Sequence, residues 1–414
     1  IRNSLLRDEG DRTFTDVTRQ AGLAEPARPT QAAVWGDFDN DGDLDLYIGN
    51  ESRLRKNSRA GDYPSQLFQN NGDGTFTDIA LRAGVTNDRY AKGVTAGDYD
   101  NDGDLDLYVS NAGKNRLYRN NTDGTFTDVA DQLGVAEPTG ASFASWFFDY
   151  DNDGDLDLFV AAYDCTLADI VSDYRDQQHS GVSPRLYRND GQSGFTDVAA
   201  AVGLDHPYLP MGANFGDLDN DGFLDIYLAT GRPNYKMLVP NVMLRNDGGK
   251  RFQNVTTSGG FGHLQKGHGV AFADIDNDGD QDIYHQLGGF YPGDQYRNVL
   301  FKNPGHGNRF LIVKLVGTQS NRNGVGARIR VTVTTPQGKR TLHRAVGSVS
   351  SFGGSPLRQE IGLGMADSIE RVEIDWPGSA TTQVLRGVPL DGMIQVTEGT
   401  DGFESIRFDT LPMP

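Results

Sequence analysis

The sequence predicts an all-β protein, a β-propeller of four-stranded blades, and three observations carry that prediction. A nine-residue acidic segment recurs five times; a short hairpin with an Asn/Asp/Gly turn recurs between the copies; and the residues beside both read as β-strands. The 414 residues are enough for one large domain or two or three ordinary ones. Hydrophobic content is only 37%, but 10% aromatic residues oppose disorder. No apolar run approaches the ~20 residues of a membrane-spanning helix, so no transmembrane segment is expected. With 57 acidic against 38 basic residues the net charge is −19, which argues against nucleic acid as a partner because phosphate contacts need basic surfaces. The lone Cys165 can form no internal disulfide and reads as a small core residue. The chain begins at Ile1 without a methionine, the expectation for a processed or truncated product with any signal peptide removed.

The acidic segments carry the most specific pattern in the chain. They are Asp37, Asp39, Asp41, Asp43 and Asp45; Asp98, Asp100, Asp102, Asp104 and Asp106; Asp149, Asp151, Asp153, Asp155 and Asp157; Asp217, Asp219, Asp221, Phe223 and Asp225; and Asp274, Asp276, Asp278, Asp280 and Asp282. Together they hold 24 of the 57 acidic residues, and carboxylates packed this closely repel one another unless a cation compensates. Asp at positions 1, 3 and 5 with Gly at 6 is the oxygen-rich turn of a hard cation such as Ca²⁺. Position 7 is Phe223 in the fourth copy, so that position is expected to ligate through its backbone carbonyl. About five calcium ions are implied, which would bring the net charge to about −9.

An EF-hand needs Glu at position 12 and flanking helices. Position 12 here is Ile48, Val109, Val160, Leu228 and His285, inside segments such as LDLYIGN and LDIYLAT that read as strands. The EF-hand is therefore rejected.

The loop starts are 61, 51, 68 and 57 residues apart. Between them stand the hairpins 67–85, 117–135, 186–204 and 244–261, with a further copy at 5–23, each a short strand, a turn and a strand centred on Phe-Thr-Asp-Val or a close variant. Two strands around the acidic loop and two around the turn make one blade. Counting NVLFKN and RFLIVKLVG as the fifth hairpin, and six strands in the tail, favours seven blades, the chain's two ends sharing one. The alternative is a shorter propeller followed by a β-sandwich.

These loops resemble the FG-GAP/VCBS calcium repeats of integrin α-subunit propellers and their bacterial relatives. The stretches G324VGARIRVTV, G347SVSSFGG, E360IGLG and V372EIDWPG resemble the ASPIC/UnbV module, and repeats followed by module resemble the cartilage acidic protein 1 family. The resemblance implies repeat blades over 1–305, a β module over 306–400 that completes the propeller or is appended to it, and a tail over 401–414.

Other chemistry is thin: the sequence has no G-x-S-x-G, P-loop, dinucleotide fingerprint or H-E-x-x-H. Around the fifth loop, His263, Lys266, His268, His285, Tyr291 and Asp294 gather three of the seven histidines. Insertions at 163–184 and 51–65 lengthen connections, the latter carrying Arg53, Arg55, Lys56 and Arg59, a basic cluster that a carboxylate or sulfate polymer would suit. Asn120 and Asn254 head glycosylation sequons.

The expected function is a calcium-stabilised propeller, secreted, cell-surface or periplasmic, that binds glycans or extracellular and surface proteins; millimolar calcium outside cells fills sites of modest affinity. Two other classes stay open. One is a carbohydrate lyase or dehydratase, as in some propellers of the resembled family, using His268, His285 and Tyr291. The other is a structural subunit of a larger extracellular or envelope assembly.

Overall fold

The computed structural model describes residues 3–52, 62–234, 237–289, 293, 296–347 and 352–412. Five blades follow one another. Blade one is β3 (Thr30–Gly36), β4 (Asp45–Asn50), β5 (Gln66–Asn70) and β6 (Phe76–Asp78), preceded by the hairpin β1 (Leu6–Asp8) and β2 (Phe14–Asp16) and followed by the short helix α1 (Ala80–Ala83). Blade two is β7 (Tyr90–Gly97), β8 (Asp106–Ala112), β9 (Arg116–Asn120) and β10 (Phe126–Asp128). Blade three is β11 (Ser142–Phe148), β12 (Asp157–Ala162), β13 (Arg185–Asn189) and β14 (Phe195–Asp197), with helix α2 (Leu167–Asp173) inserted after β12. Blade four is β15 (Pro210–Gly216), β16 (Asp225–Thr230), β17 (Val242–Asn246) and β18 (Phe252–Asn254); blade five is β19 (Gly267–Ala273), β20 (Asp282–Leu287) and β21 (Val299–Phe301).

Each blade is an antiparallel meander, and in blades one to four the second strand is covered on both faces, whereas β20 of blade five leaves Tyr284 and Gln286 exposed. Cover on both faces is why β12 (DLFVAA) and β16 (DIYLAT) are buried at every position and read as continuous apolar runs rather than alternating ones. The outer strands are three residues long and mostly exposed, as in β6 and β14. Neighbouring blades bury apolar layers between their faces. Trp146 and Phe159 of blade three stack at 4.3 Å and pack with Ile226 and Leu244 of blade four. Tyr47 and Leu67 of blade one meet Val94 and Leu107 of blade two.

The all-β class and the four-stranded blade hold, but the seven-blade count does not. The tail forms two further sheets: β25 (Gln359–Gly364), β22 (Arg309–Val316), β28 (Gly392–Thr397) and β29 (Glu404–Ile406) in one, and β24 (Gly338–Ala345), β23 (Arg328–Thr335), β26 (Ser368–Trp376) and β27 (Thr381–Leu385) in the other. They share one core, with Leu311, Val313 and Ile394 of the first sheet facing Ile329, Val331 and Ile374 of the second, so the module is a sandwich appended to the blades. β22 runs parallel to β28, a pairing that a blade meander cannot contain. The strand count assigns β22 to blade five; its eight residues bury Leu311, Ile312, Val313 and Leu315, far more apolar surface than an exposed outer strand can hide, so the sandwich takes it and blade five has three strands among the described residues. Among the described residues the hairpin β1–β2 is a two-stranded sheet to which the tail adds no strand.

Candidate metal centres

Each acidic segment is the turn between a blade's first two strands. Gly at position 6 has φ of 92–99° in all five loops, a left-handed conformation that a Cβ would strain. Asn at position 4 (Asn40, Asn101, Asn152, Asn220, Asn277) is also left-handed, at 54–61°. The two turns fold the loop back so that its carboxylates converge. Positions 1, 3 and 5 in the first, fourth and fifth loops, and 1, 3 and 9 in the second and third, bring oxygens within 4.8 Å of one another. The position-1 carboxylate accepts from N–H groups inside the loop, as Asp149 does from Asp153 and Gly154 at 3.2 and 2.9 Å. The position-9 carboxylate accepts from position 2, as Asp157 does from Tyr150 at 3.1 Å.

Positions 1 and 9 are buried in every loop. Burial, reinforced by neighbouring aspartates, pushes Asp37 up to about 6, Asp45 and Asp149 to about 7, and Asp106, Asp157 and Asp225 well above the usual carboxylate range. Buried carboxylate oxygens also stand without a hydrogen-bond partner: Asp217 Oδ1 at position 1, Asp151 Oδ1 and Asp276 Oδ1 at position 3. Clustered, desolvated and under-bonded oxygens are the donor set of a hard divalent cation, and calcium fits these residues.

An asparagine stands at the end of the third strand in blades one to four and two residues beyond it in blade five, a position that in sequence reads only as part of a turn. The backbone N–H groups of Asn70, Asn120, Asn189, Asn246 and Asn303 donate to Asp45, Asp106, Asp157, Asp225 and Asp282 at 2.7–2.8 Å. From blade two on, the side-chain amide reaches the preceding blade's loop at its position-2 carbonyl: Asn120 to Phe38, Asn189 to Tyr99, Asn246 to Tyr150 and Asn303 to Leu218, at 2.7–2.9 Å. The position-4 asparagines run the other way, Asn40 to Asp104, Asn101 to Asp155 and Asn220 to Asp280, at 2.5–2.8 Å. Asn152 meets Phe223 at the corresponding position and donates instead to Gly222 O at 2.8 Å. Position-7 carboxylates thus serve as inter-blade acceptors, and the loops form one hydrogen-bonded series. The recurring Asn after each third strand was the sequence signal available.

The sandwich module docks on this series. Arg344, fully buried, sets its guanidinium 3.2 Å from Asp217 Oδ2, which also accepts from Gly362 N–H at 3.1 Å. Arg340 donates to Asp221 O at 2.6 Å and lies over the Phe223 ring at 4.5 Å. Arg328 donates to Gly154 O at 3.0 Å and to Asp98 O, and Arg358 to Asp274 O at 2.7 Å. A Cβ on Gly362 would stand 2.4 Å from Asn220, so the approach requires glycine there.

Around the fifth loop, Lys302 pairs with Asp276 and lies 4.0 Å from Asp278. His285 is wholly buried with Nδ1 3.3 Å from the Tyr227 hydroxyl, and burial lowers it to about 3, so its ring is neutral. His263 accepts from Gln265 N–H at 3.0 Å and packs edge-on against Tyr296; His268 is half-buried on β19. Tyr291 and Asp294, and the basic cluster Arg53, Arg55, Lys56 and Arg59, lie outside the described residues. Asn120 is buried with its amide engaged by Phe38 O, whereas Asn254 is exposed.

A family model described as FG-GAP-like repeat matches residues 2–48, 58–109, 98–160, 167–228 and 231–285, and one described as ASPIC and UnbV matches residues 317–402. The chain is similar to cartilage acidic protein 1 of Xenopus tropicalis, 30% identical over 187 residues, which is 42% of this chain and 27% of that protein. The Mus musculus and Homo sapiens proteins of the same name are each 26% identical over 187 residues, 42% of this chain and 27% and 26% of theirs. The chain thus spans about a quarter of the length of these relatives. Among solved structures it is similar to an Agrocybe aegerita lectin described as recognising non-reducing terminal N-acetylglucosamine, with TM-score 0.41, 16% identity and coverage of 73% of this chain and 74% of that one. Another is BBS1N in complex with ARL6DN, with TM-score 0.36, 10% identity and coverage of 87% and 92%.

Proposed function

The chain belongs to the FG-GAP-like repeat family, and from that premise we propose that it is a calcium-stabilised binding scaffold, extracellular or at the cell surface, for glycans or proteins. The observation that carries this reading is the set of five carboxylate clusters, each with buried acids at positions 1 and 9. Divalent ions would relieve the repulsion inside each loop and, through the asparagine series, stiffen the contacts between blades and to the module. A ligand that binds the folded chain and not the unfolded one stabilises it by mass action. The need for five filled sites of modest affinity favours the millimolar calcium found outside cells. No helix among the described residues is long and apolar enough to cross a membrane. The chain's own residues supply the scaffold: the aspartates hold the ions, and the asparagines and module arginines register the loops against one another.

The test is a thermal melt in calcium, in EGTA, and in calcium restored after EGTA, with elemental analysis of the purified protein. The expected result is a large, reversible fall in Tm on chelation and about five calcium ions per chain. Metal-free protein with an unchanged melt would overturn the reading.

A further inference from the structure

The insertion after β12 leaves the blade at the end away from its acidic loop, because β12 begins at Asp157, the loop's last residue. Arg328, Arg340, Arg344 and Arg358 of the module dock on the loop end, so the insertion stands at the end of the blades opposite those contacts. It is a built element. Thr166 and Asp169 form a capping box at the start of α2, and Asp169 Oδ1 accepts from both the N–H and the hydroxyl of Ser180 at 3.0 Å. Cys165, Ile170, Leu209, Met237 and Val239 form a small core beneath it. Asp173, at the end of α2, accepts from His206 Nδ1 at 2.9 Å and lies 3.4 Å from His179 Nε2, which ties the helix to the connection before β15.

Between α2 and the connections leading to β15 and β17 lies a cleft of about 400 Å³. Tyr174, 68% exposed, lines it together with Tyr208 and His206. Pro207, Val239 and Phe252 bring apolar surface to the lining, and Asp173, Asp176 and Asn254 bring polar groups. We propose that this cleft binds a neutral carbohydrate, a mono- or disaccharide unit of a glycan. Aromatic faces suit the C–H face of a pyranose, and carboxylates and an amide suit its hydroxyls; the volume falls in the range of small-ligand pockets. Among the described residues no Lys or Arg lines the cleft, so an anionic ligand would face Asp173 and Asp176 with only the histidines at Asp173 to offset them. A lone ammonium group would leave most of the volume and the apolar lining unfilled. This inference rests on the reading of the chain as a binding scaffold and names one of its sites.

The experiment uses the full chain in calcium, screened on an array of neutral and acidic glycans, with the strongest neutral disaccharide then titrated calorimetrically. Neutral glycans are expected to bind, with Tyr174→Ala and Asp176→Asn each weakening binding about tenfold at unchanged Tm. Tyr174 and Asp176 are exposed, so neither change should unfold the protein. Absence of neutral-glycan binding by the wild type, binding confined to sulfated glycans, or affinity unchanged in both variants would overturn the assignment. Calcium content and melts of the same sample separate the two failures: calcium-loaded, chelator-sensitive protein that ignores sugars loses only the cleft, whereas metal-free protein with an unchanged melt that binds sugar through Tyr174 loses only the calcium reading.

Discussion

The side-chain amide of Asn189 donates to the carbonyl oxygen of Tyr99 at 2.7 Å, joining blade three to the acidic loop of blade two. The same residue donates through its backbone to Asp157 and through its side chain to Leu156 O at 3.2 Å, so one buried asparagine closes its own loop and registers the neighbouring one.

Asn189→Ala is expected to destabilise the protein by about 2–4 kcal/mol, because it strands the buried carbonyls of Tyr99 and Leu156. Denaturant unfolding at fixed calcium measures it. A loss below about 0.5 kcal/mol, the level of a surface substitution, would mean that the asparagine series contributes little.

Arg344 and Asp217 form a buried pair between module and blade four. Arg344→Met should cost about 3–5 kcal/mol, since it leaves Asp217 buried without its cation. Arg344→Met combined with Asp217→Asn should cost less than the two single changes added together. Additive losses in that cycle would argue against the pairing.

Phe223 replaces the position-7 aspartate and carries the Arg340 guanidinium 4.5 Å from its ring centre. Phe223→Ala should leave the calcium stoichiometry at the wild-type value and lower stability by about 0.5–2 kcal/mol through the lost cation–π contact. A loss of one ion per chain, read by elemental analysis, would show that the residue shapes the metal site itself.

Glu398 is buried in the module. Burial opposes its charge, but Ser379 and the N–H groups of Thr318, Ser320 and Gln319 outweigh that and hold it down at about 2. Its folded value lies below the unfolded one, so its stabilisation is fully present above about pH 4.5 and is lost as pH falls toward 2. The Tm gap between wild type and Glu398→Gln should therefore be widest above pH 5 and close near pH 2. A gap that stays constant across that range would contradict the ionised role.

Much of the candidate site was legible because its signals are local. Asp at alternate positions with Gly at 6 specifies a turn that gathers carboxylates within nine residues, and Phe223 shows that position 7 need not carry one. Strand after strand was readable from short apolar or alternating runs such as DLYIGN and DLFVAA. Asn120 shows where such reading stops: as a sequon it reads as a surface residue, yet its amide is buried against Phe38 O in the preceding loop.

The sequence by itself determined the blade strands and the five acidic turns, since both follow from periodicity and spacing among near neighbours. Only the tertiary structure decided where β22 pairs, which loop each asparagine reaches, that Arg340 and Arg344 dock on the fourth loop, and that Tyr174 and Tyr208 face one cleft. Those outcomes depend on hydrogen bonds and buried area between segments tens to more than a hundred residues apart. No local pattern encodes which of several competent partners a strand or an arginine will find; the choice falls to whichever arrangement buries the most apolar surface while leaving the fewest buried polar groups unpaired.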